Sequence, residues 1–316
     1  MKLLVTGGAG YIGSHVVRIA EASGAEVTVV DDLSTGIVKR VSCPLVEIEL
    51  SSDAAVTQLT ELMAETKFDA VIHLAAKKQV GQSVEQPESY YKENIGGLAN
   101  LLTAMRATST LKLVFSSSAA TYGMPDVETV NEDYPGNPIN PYGQTKLVGE
   151  WLVRAAGFWG LRSVNLRYFN VAGTGHKDLG DTAALNLIPI AIGQIKSGKS
   201  PIVFGDDYPT PDGSCIRDYV HVQDLAAAHL RAVEYLDQPE RSFDTFNVGT
   251  GVGASVLEVL EELKRASGVD FAIEIGDRRK GDPPRLVADV SRIKNELGFV
   301  CEKGLGEIVQ SAWDAS

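Results

Sequence analysis

The sequence predicts an α/β protein, with a doubly wound parallel sheet followed by a smaller C-terminal α/β part. Three observations carry this. Short apolar, β-branched runs alternate with segments of helical period over residues 1–169. A glycine-rich turn, Thr6 to His15 (TGGAGYIGSH), stands between the first such run and the first helical segment. After Asn170 the alternation gives way to loops rich in Gly, Asp and Pro. Strands joined through helices need crossover connections, and these place helices on both faces of a parallel sheet.

In chain order, Lys2 to Thr6 (KLLVT) reads as a buried strand and Tyr11 to Ala22 as the first helix. Glu26 to Val30 is a β-branched strand ending at Asp31-Asp32. Asp69 to Leu74 and Leu111 to Ser116 are further strands, separated by one long helix over Ser89 to Thr108. A helix opens near Pro141, since proline suits a first turn, and Leu161 to Tyr168 closes this half as a strand. Beyond it, helices are expected at Leu185–Lys196, Gln223–Leu236, Ser255–Ser267 and Ser291–Leu297, with short strands at Pro201–Phe204 and Phe271–Ile275. Val220–Val222 and Thr245–Val248 are candidates to rejoin the main sheet. The expected division is 1–169 and 170–316, partly interleaved, with segments near 215–250 returning to the first domain.

Bulk properties narrow the function. The 316 residues exceed one small domain, and 44% hydrophobic content supplies a core. A net charge of −12 argues against sequence-independent nucleic-acid binding, which runs on excess Lys and Arg. Cys43, Cys215 and Cys301 lie far apart and form no Cys-x-x-Cys, which suits a reducing cytoplasm. The opening apolar run is too short for a signal-peptide core, and no stretch of ~20 apolar residues suggests a membrane span. His15, His73, His176, His221 and His229 show no ligand spacing, so no metal is expected.

The glycine run has a specific use. Between a strand and a helix, Gly7, Gly10 and Gly13 make a tight turn whose backbone N–H groups approach a pyrophosphate at the positive end of the helix. Asp31 follows 18 residues after Gly13, at the end of the second strand. A carboxylate there accepts from adenosine ribose hydroxyls and repels a 2′-phosphate, so the expected cofactor is NAD, in a Rossmann-type domain.

Chemistry is expected at Tyr142 and Lys146, which share a helix face at i and i+4, and at the Ser116-Ser117-Ser118 strand end. A free phenol titrates near ~10, and lowering that by ~3 units needs ~4 kcal/mol of stabilisation of the phenolate. A lysine ammonium and a nicotinamide cation have the right sign for this. Ser118 can hold the reacting oxygen beside Tyr142.

At this point the chain resembles a family, the extended short-chain dehydrogenase/reductases acting on nucleotide-sugars, and within it the sugar-nucleotide 4-epimerases. The resemblance runs over nearly the whole length, through TGGAGYIGSH, DDLSTG, VIHLAA, SSSAATYG, NPYGQTK, LRYFNVAG, GDDYPTPDGSCIRDYVHVQDLA and FNVGTGVGASV. It implies interconversion of UDP-galactose and UDP-glucose by inversion at C4, through a transient 4-keto sugar and tightly bound NAD. Tyr142 would be the base, Lys146 its electrostatic partner and ribose ligand, and Ser118 the contact to O4. Tyr11 and Ile12 would flank the pyrophosphate. Asp31, Asp32, Leu33, Ser34, Thr35 and Gly36 would hold the adenosine end, with Glu49 and Leu50 near the adenine. Leu74, Ala75, Ala76, Lys78, Asn94, Ser116 and Phe169 would line the rest of the cofactor. For the UDP-sugar, the family pattern maps Asn170 to the sugar, Asn186 and Leu187 to the diphosphate, Val203 and Phe204 to the uracil, and Arg217, Arg279 and Asp282 to diphosphate and ribose. Arg217 also has a structural alternative, a salt bridge to Asp218 or Asp224.

Two departures stand out. The acid expected near adenine is Glu49 rather than Asp, and Leu286 stands where some bacterial relatives carry a tyrosine, which leaves room for an N-acetyl group. The alternatives are epimerisation of UDP-N-acetylhexosamines or UDP-uronates, and a non-catalytic NAD-binding regulator. Dehydration is disfavoured because Ala119-Ala120 follow Ser118 where a dehydratase needs an Asp-Glu pair. The resemblance also implies a homodimer through the 89–108 and 141–158 helices, whose apolar residues (Leu98, Leu101, Leu102, Trp151, Leu152) could equally be core.

Overall fold

The computed structural model describes residues 1–279 and 281–316. The chain divides into two compact units, one of residues 1–121, 138–167 and 226–246, the other of 122–137, 168–225 and 247–316. Residues 122–137 therefore leave the first half for the second unit, which the sequence did not suggest, and Phe169 also lies in the second unit.

The first unit opens with β1 (Lys2–Thr6), buried along nearly its whole length, and α1 (Tyr11–Ala22), which turns Val16, Val17 and Ala20 inward. There follow β2 (Glu26–Asp31), β3 (Leu45–Glu47), α2 (Ala55–Thr66), β4 (Ala70–His73), α3 (Val80–Glu85) and α4 (Pro87–Tyr91). A π-helical turn, Lys92–Gly96, leads into α5 (Gly97–Ala107). The expected single helix over 89–108 is thus in three pieces. β5 (Lys112–Ser116), α6 (Pro141–Ala156) and β6 (Arg162–Tyr168) complete the series. Proline at the start of α6 and the Asn140 side chain, accepting from the Gly143 N–H at 2.8 Å, fix where that helix begins.

The strands order as β3-β2-β1-β4-β5-β6, every neighbouring pair parallel, with the strand Phe243–Val248 beyond β6. Leu4, Leu59, Met63, Leu98, Leu101, Leu113, Phe115 and Val153 form one apolar cluster between the sheet and α2, α5 and α6. Each such side chain contributes about 1.5–3 kcal/mol by burial. Strand order reverses between β1 and β4, and ligands bind beyond the C-terminal strand ends at such a point. Thr6 and His73 pair in register there, with Thr6 Oγ1 2.7 Å from His73 Nδ1.

The second unit contains β7 (Asn170–Ala172), α7 (Leu187–Lys196), β8 (Ile202–Phe204) and β9 (Ile216–His221). α8 (Val222–Tyr235) and β10 (Phe243–Val248), the edge strand already met, lead back through the first unit. Then come β11 (Gly253–Ser255), α9 (Val256–Ser267), β12 (Glu274–Gly276), β13 (Arg285–Leu286), α10 (Ser291–Leu297) and α11 (Leu305–Asp314). β9 pairs with β11, β13 and β7 in a sheet of its own, so Val220 does not rejoin the main sheet as expected, whereas β10 does. Ile188, Ile192, Tyr219, Leu260, Leu263, Ile308 and Val309 form the core of this unit. Among the described residues no helix is long and apolar enough to cross a membrane.

Candidate active site

The glycine turn closes on itself. Gly7 has φ +72°, and a Cβ there would lie 2.7 Å from the Ala75 backbone nitrogen. A Cβ on Gly13 would sit 2.1 Å from the Gly7 carbonyl oxygen. These two are demanded by the fold. Gly10 differs, because the single neighbour of its Cβ within 4 Å is Gly7 O, at 3.2 Å. It is also the N-cap of α1, with extended backbone and no side chain capping the helix. An uncapped helix N-terminus at this turn fits a pyrophosphate.

Asp31 is buried at the end of β2, and its carboxylate accepts from Leu33 N at 2.9 Å and Ala9 N at 3.0 Å. Burial pushes its pKa up, the two N–H bonds pull it down, and neighbouring Asp32 pushes it up. Asp32 accepts from Ser34 N and Oγ, Leu33 is held at φ +56°, and a Cβ on Gly36 would meet Asp31 Oδ1 at 2.5 Å. Ser34 and Thr35 are exposed. Tyr11 packs edge-on against His15, with Ile12 half-buried beside it. Glu49 is exposed and accepts from Ser51 Oγ, while the Leu50 side chain belongs to the apolar core and offers a ligand nothing but backbone. On the other side of the turn, Leu74, Ala75 and Ala76 are half-buried and Lys78 is exposed. Asn94, in the π-helical turn, accepts from Lys77 N at 2.8 Å and donates to Lys77 O and Thr145 Oγ1. Its side chain therefore ties the 74–78 segment to α6.

The predicted catalytic residues come together in this unit. Tyr142 and Lys146 are buried one turn apart on α6, and Ser118 hydrogen-bonds the Tyr142 phenol. Lys146 Nζ donates to the Ser116 carbonyl at 2.7 Å and lies 5.2 Å from the Phe115 ring centroid and 6.0 Å from that of Tyr142. Burial pushes the Tyr142 phenol up, the Ser118 bond pulls it down less, and Tyr90 pushes it up. At this phenol desolvation outweighs the hydrogen bond. Burial lowers Lys146 to about 8 against the upward pull of Glu150. His73 is lowered to about 3 by burial and by Lys146, so it is neutral. Ser116 Oγ lies 2.8 Å from His229 Nε2. The sequence reading missed Glu150 and Arg167, although Lys146 and Glu150 share the i, i+4 spacing that singled out Tyr142 and Lys146.

The second unit gathers the residues assigned to the nucleotide-sugar. Asn170 pairs with Tyr219, and Phe169 is buried 6.5 Å from the Tyr122 ring. Asn186 caps α7 without a side-chain bond, leaving N–H groups from Leu187 onward for an anion. Val203 is buried, and the Arg279 guanidinium lies 3.9 Å from the centroid of the Phe204 ring. Arg217 is buried and pairs with Asp282, so its partner is neither Asp218 nor Asp224. Asp218 instead accepts from Thr250, Gly251 and Ala288, and Asp224 accepts from Glu302 and Lys303 N–H groups. Among the described residues no group of three His, Cys, Asp or Glu side chains is placed to hold a metal.

A sequence model described as the NAD dependent epimerase/dehydratase family matches residues 3–249. The chain belongs to the NAD dependent epimerase/dehydratase family. Within that family it is 42% identical over 319 residues to a UDP-glucose 4-epimerase of Corynebacterium glutamicum, covering 99% of this chain and 95% of the relative. A crystal structure of a UDP-glucose-4-epimerase from Stenotrophomonas maltophila, with bound NAD and formylated UDP-arabinopyranose, superposes with a TM-score of 0.95 at 37% identity, covering 100% and 97% of the two chains. A UDP-Glc/GlcNAc 4-epimerase from Campylobacter jejuni gives a TM-score of 0.87 at 39% identity, covering 99% and 98%.

Proposed function

We propose that the chain interconverts UDP-galactose and UDP-glucose by inverting C4 of the sugar, using tightly bound NAD. The observation that carries this is a buried tyrosine hydrogen-bonded by Ser118 with Lys146 one turn on, in a chain of this family. The glycine turn, the uncapped α1 N-terminus and the Asp31 carboxylate fit a dinucleotide. When bound, NAD supplies a reversible hydride acceptor for C4. Ser118 would hold the sugar oxygen, and an ionised Tyr142 Oη would take the 4-hydroxyl proton while C4 is oxidised and give it back when C4 is reduced on its other face. Lys146 offers its ammonium to the phenolate and the cofactor ribose. Arg217 and Arg279 present guanidinium forks for phosphate, and Asp282 accepts from ribose.

The test is UDP-galactose incubated with purified protein and no added cofactor, with UDP-glucose followed by chromatography. Conversion is the expected result. None on folded protein supplied with NAD would rule out this substrate.

A second reading extends the substrate range. Leu286 is half-buried in β13, paired with Arg217, and a leucine is smaller than the tyrosine of some relatives, which favours acceptance of an N-acetyl group. Turnover of UDP-N-acetylglucosamine is the expected outcome, and undetectable turnover refutes it. A homodimer in a reducing cytoplasm goes with the same reading. Leu98, Leu101 and Leu102 are core, so the face on offer is Trp151, 61% exposed, with Phe158, 98% exposed.

A further inference from the structure

Lys146 is not the last member of its hydrogen-bonded group. Tyr142, Lys146 and Glu150 follow at i, i+4 and i+8 along one face of α6. Glu150 is 4% exposed and Arg167, on β6, 7%. Glu150 Oε1 accepts from Arg167 Nε at 2.8 Å and Oε2 from Arg167 Nη2 at 2.6 Å. Oε1 also accepts from the Ser117 hydroxyl. Ser117 stands between Ser116, whose carbonyl receives Lys146, and Ser118, whose hydroxyl meets Tyr142. One carboxylate therefore ties α6, β6 and the end of β5 together. A fork-to-fork pair fixes two planes as well as a distance.

Stability is a weak reason for such a pair. Buried ion pairs are often replaced by apolar residues without loss, because desolvation cancels the attraction. We propose that Glu150, held by Arg167 and Ser117, is a positioning residue that fixes the Lys146 ammonium and the Ser116–Ser118 strand end relative to Tyr142. The groups facing Lys146 are Glu150 and Tyr142 on its own helix, the Ser116 carbonyl and Phe115 ring on β5, and His73 on β4, with Arg167 on β6 behind Glu150. His73 is neutral near pH 7, so Glu150 provides the negative charge that opposes desolvation of the ammonium.

The test compares the holoenzyme with Glu150→Gln, which keeps shape and an acceptor oxygen but removes the charge. NMR of lysine-labelled protein, with the Lys146 signal assigned by its loss in Lys146→Arg, reads the ammonium directly. Its titration midpoint is expected to fall by about one unit, and Glu150→Asp, which restores the charge, to recover part of that. The kinetic arm rests on the epimerase reading. There kcat for UDP-galactose falls about tenfold, its alkaline limb moves to lower pH, and KM changes less than about twofold, because the nucleotide contacts are untouched. An unchanged midpoint with unchanged kcat overturns the proposal. Should Glu150→Gln not fold, the charge-balanced Glu150→Met/Arg167→Met pair takes its place, with a smaller downward midpoint expected because a cation leaves with the anion. A wild type that converts no UDP-sugar defeats the epimerase reading and leaves the NMR arm intact.

Discussion

Burial lowers Lys146 from the usual 10.5 to about 8, and the stability consequence has a definite sign. Between pH 8 and 10.5 the unfolded chain holds a proton that the folded chain has released, so stability rises with pH through that window. Below about pH 8 the cost of the buried charge is fully present. Lys146→Met is therefore expected to stabilise the fold by about 1–3 kcal/mol in urea unfolding at neutral pH, while turnover collapses. Tyr142→Phe is expected to keep the fold and lower kcat by about 10²–10⁴-fold, read in the UDP-galactose assay. The spacing of this pair was legible in the sequence. The raised phenol was not, because desolvation depends on what packs over α6 rather than on its neighbours in the chain.

At the scale of elements, the glycine turn separates two kinds of glycine. Gly13→Ala forces a Cβ into the Gly7 carbonyl and is expected to cost more than about 2 kcal/mol of stability by thermal unfolding. Gly10→Ala brings a Cβ only to 3.2 Å from the same carbonyl, so it is expected to cost less stability than Gly13→Ala and to weaken NAD retention about tenfold, read from co-purified cofactor. The strand–turn–helix around these glycines was predicted from local pattern. The break in the 89–108 helix was not, since the buried positions Tyr90, Asn94, Leu98, Leu101 and Met105 keep three- to four-residue spacing across the π-helical turn. That turn contains Asn94, whose partners Lys77 and Thr145 are distant in sequence.

For the whole molecule, Asn247 ties residues 122–137 to the rest of the second unit. Its side chain donates to Val130 O and Asp289 O and accepts from the Tyr122 hydroxyl, while its backbone N–H donates to Glu132. Asn247→Ala removes three side-chain hydrogen bonds of a buried residue and is expected to cost about 2 kcal/mol or more in denaturant unfolding. Trp151→Glu, combined with Phe158→Glu, is expected to leave a folded monomer by sedimentation if the exposed end of α6 is the dimer face.

The sequence by itself determined the alternation that builds the parallel sheet, the glycine turn between β1 and α1, the acid at Asp31 and the Tyr142–Lys146–Ser118 group. Each is a local pattern whose chemistry is set by residue type and spacing. The tertiary structure decided the rest: that Leu98, Leu101 and Leu102 are core, that Arg217 pairs with Asp282, that β9 leaves the main sheet, and that Glu150 meets Arg167 and Ser117. Burial and long-range pairing arise only when distant segments are brought into contact, and no local spacing encodes which of several charged or apolar residues will meet.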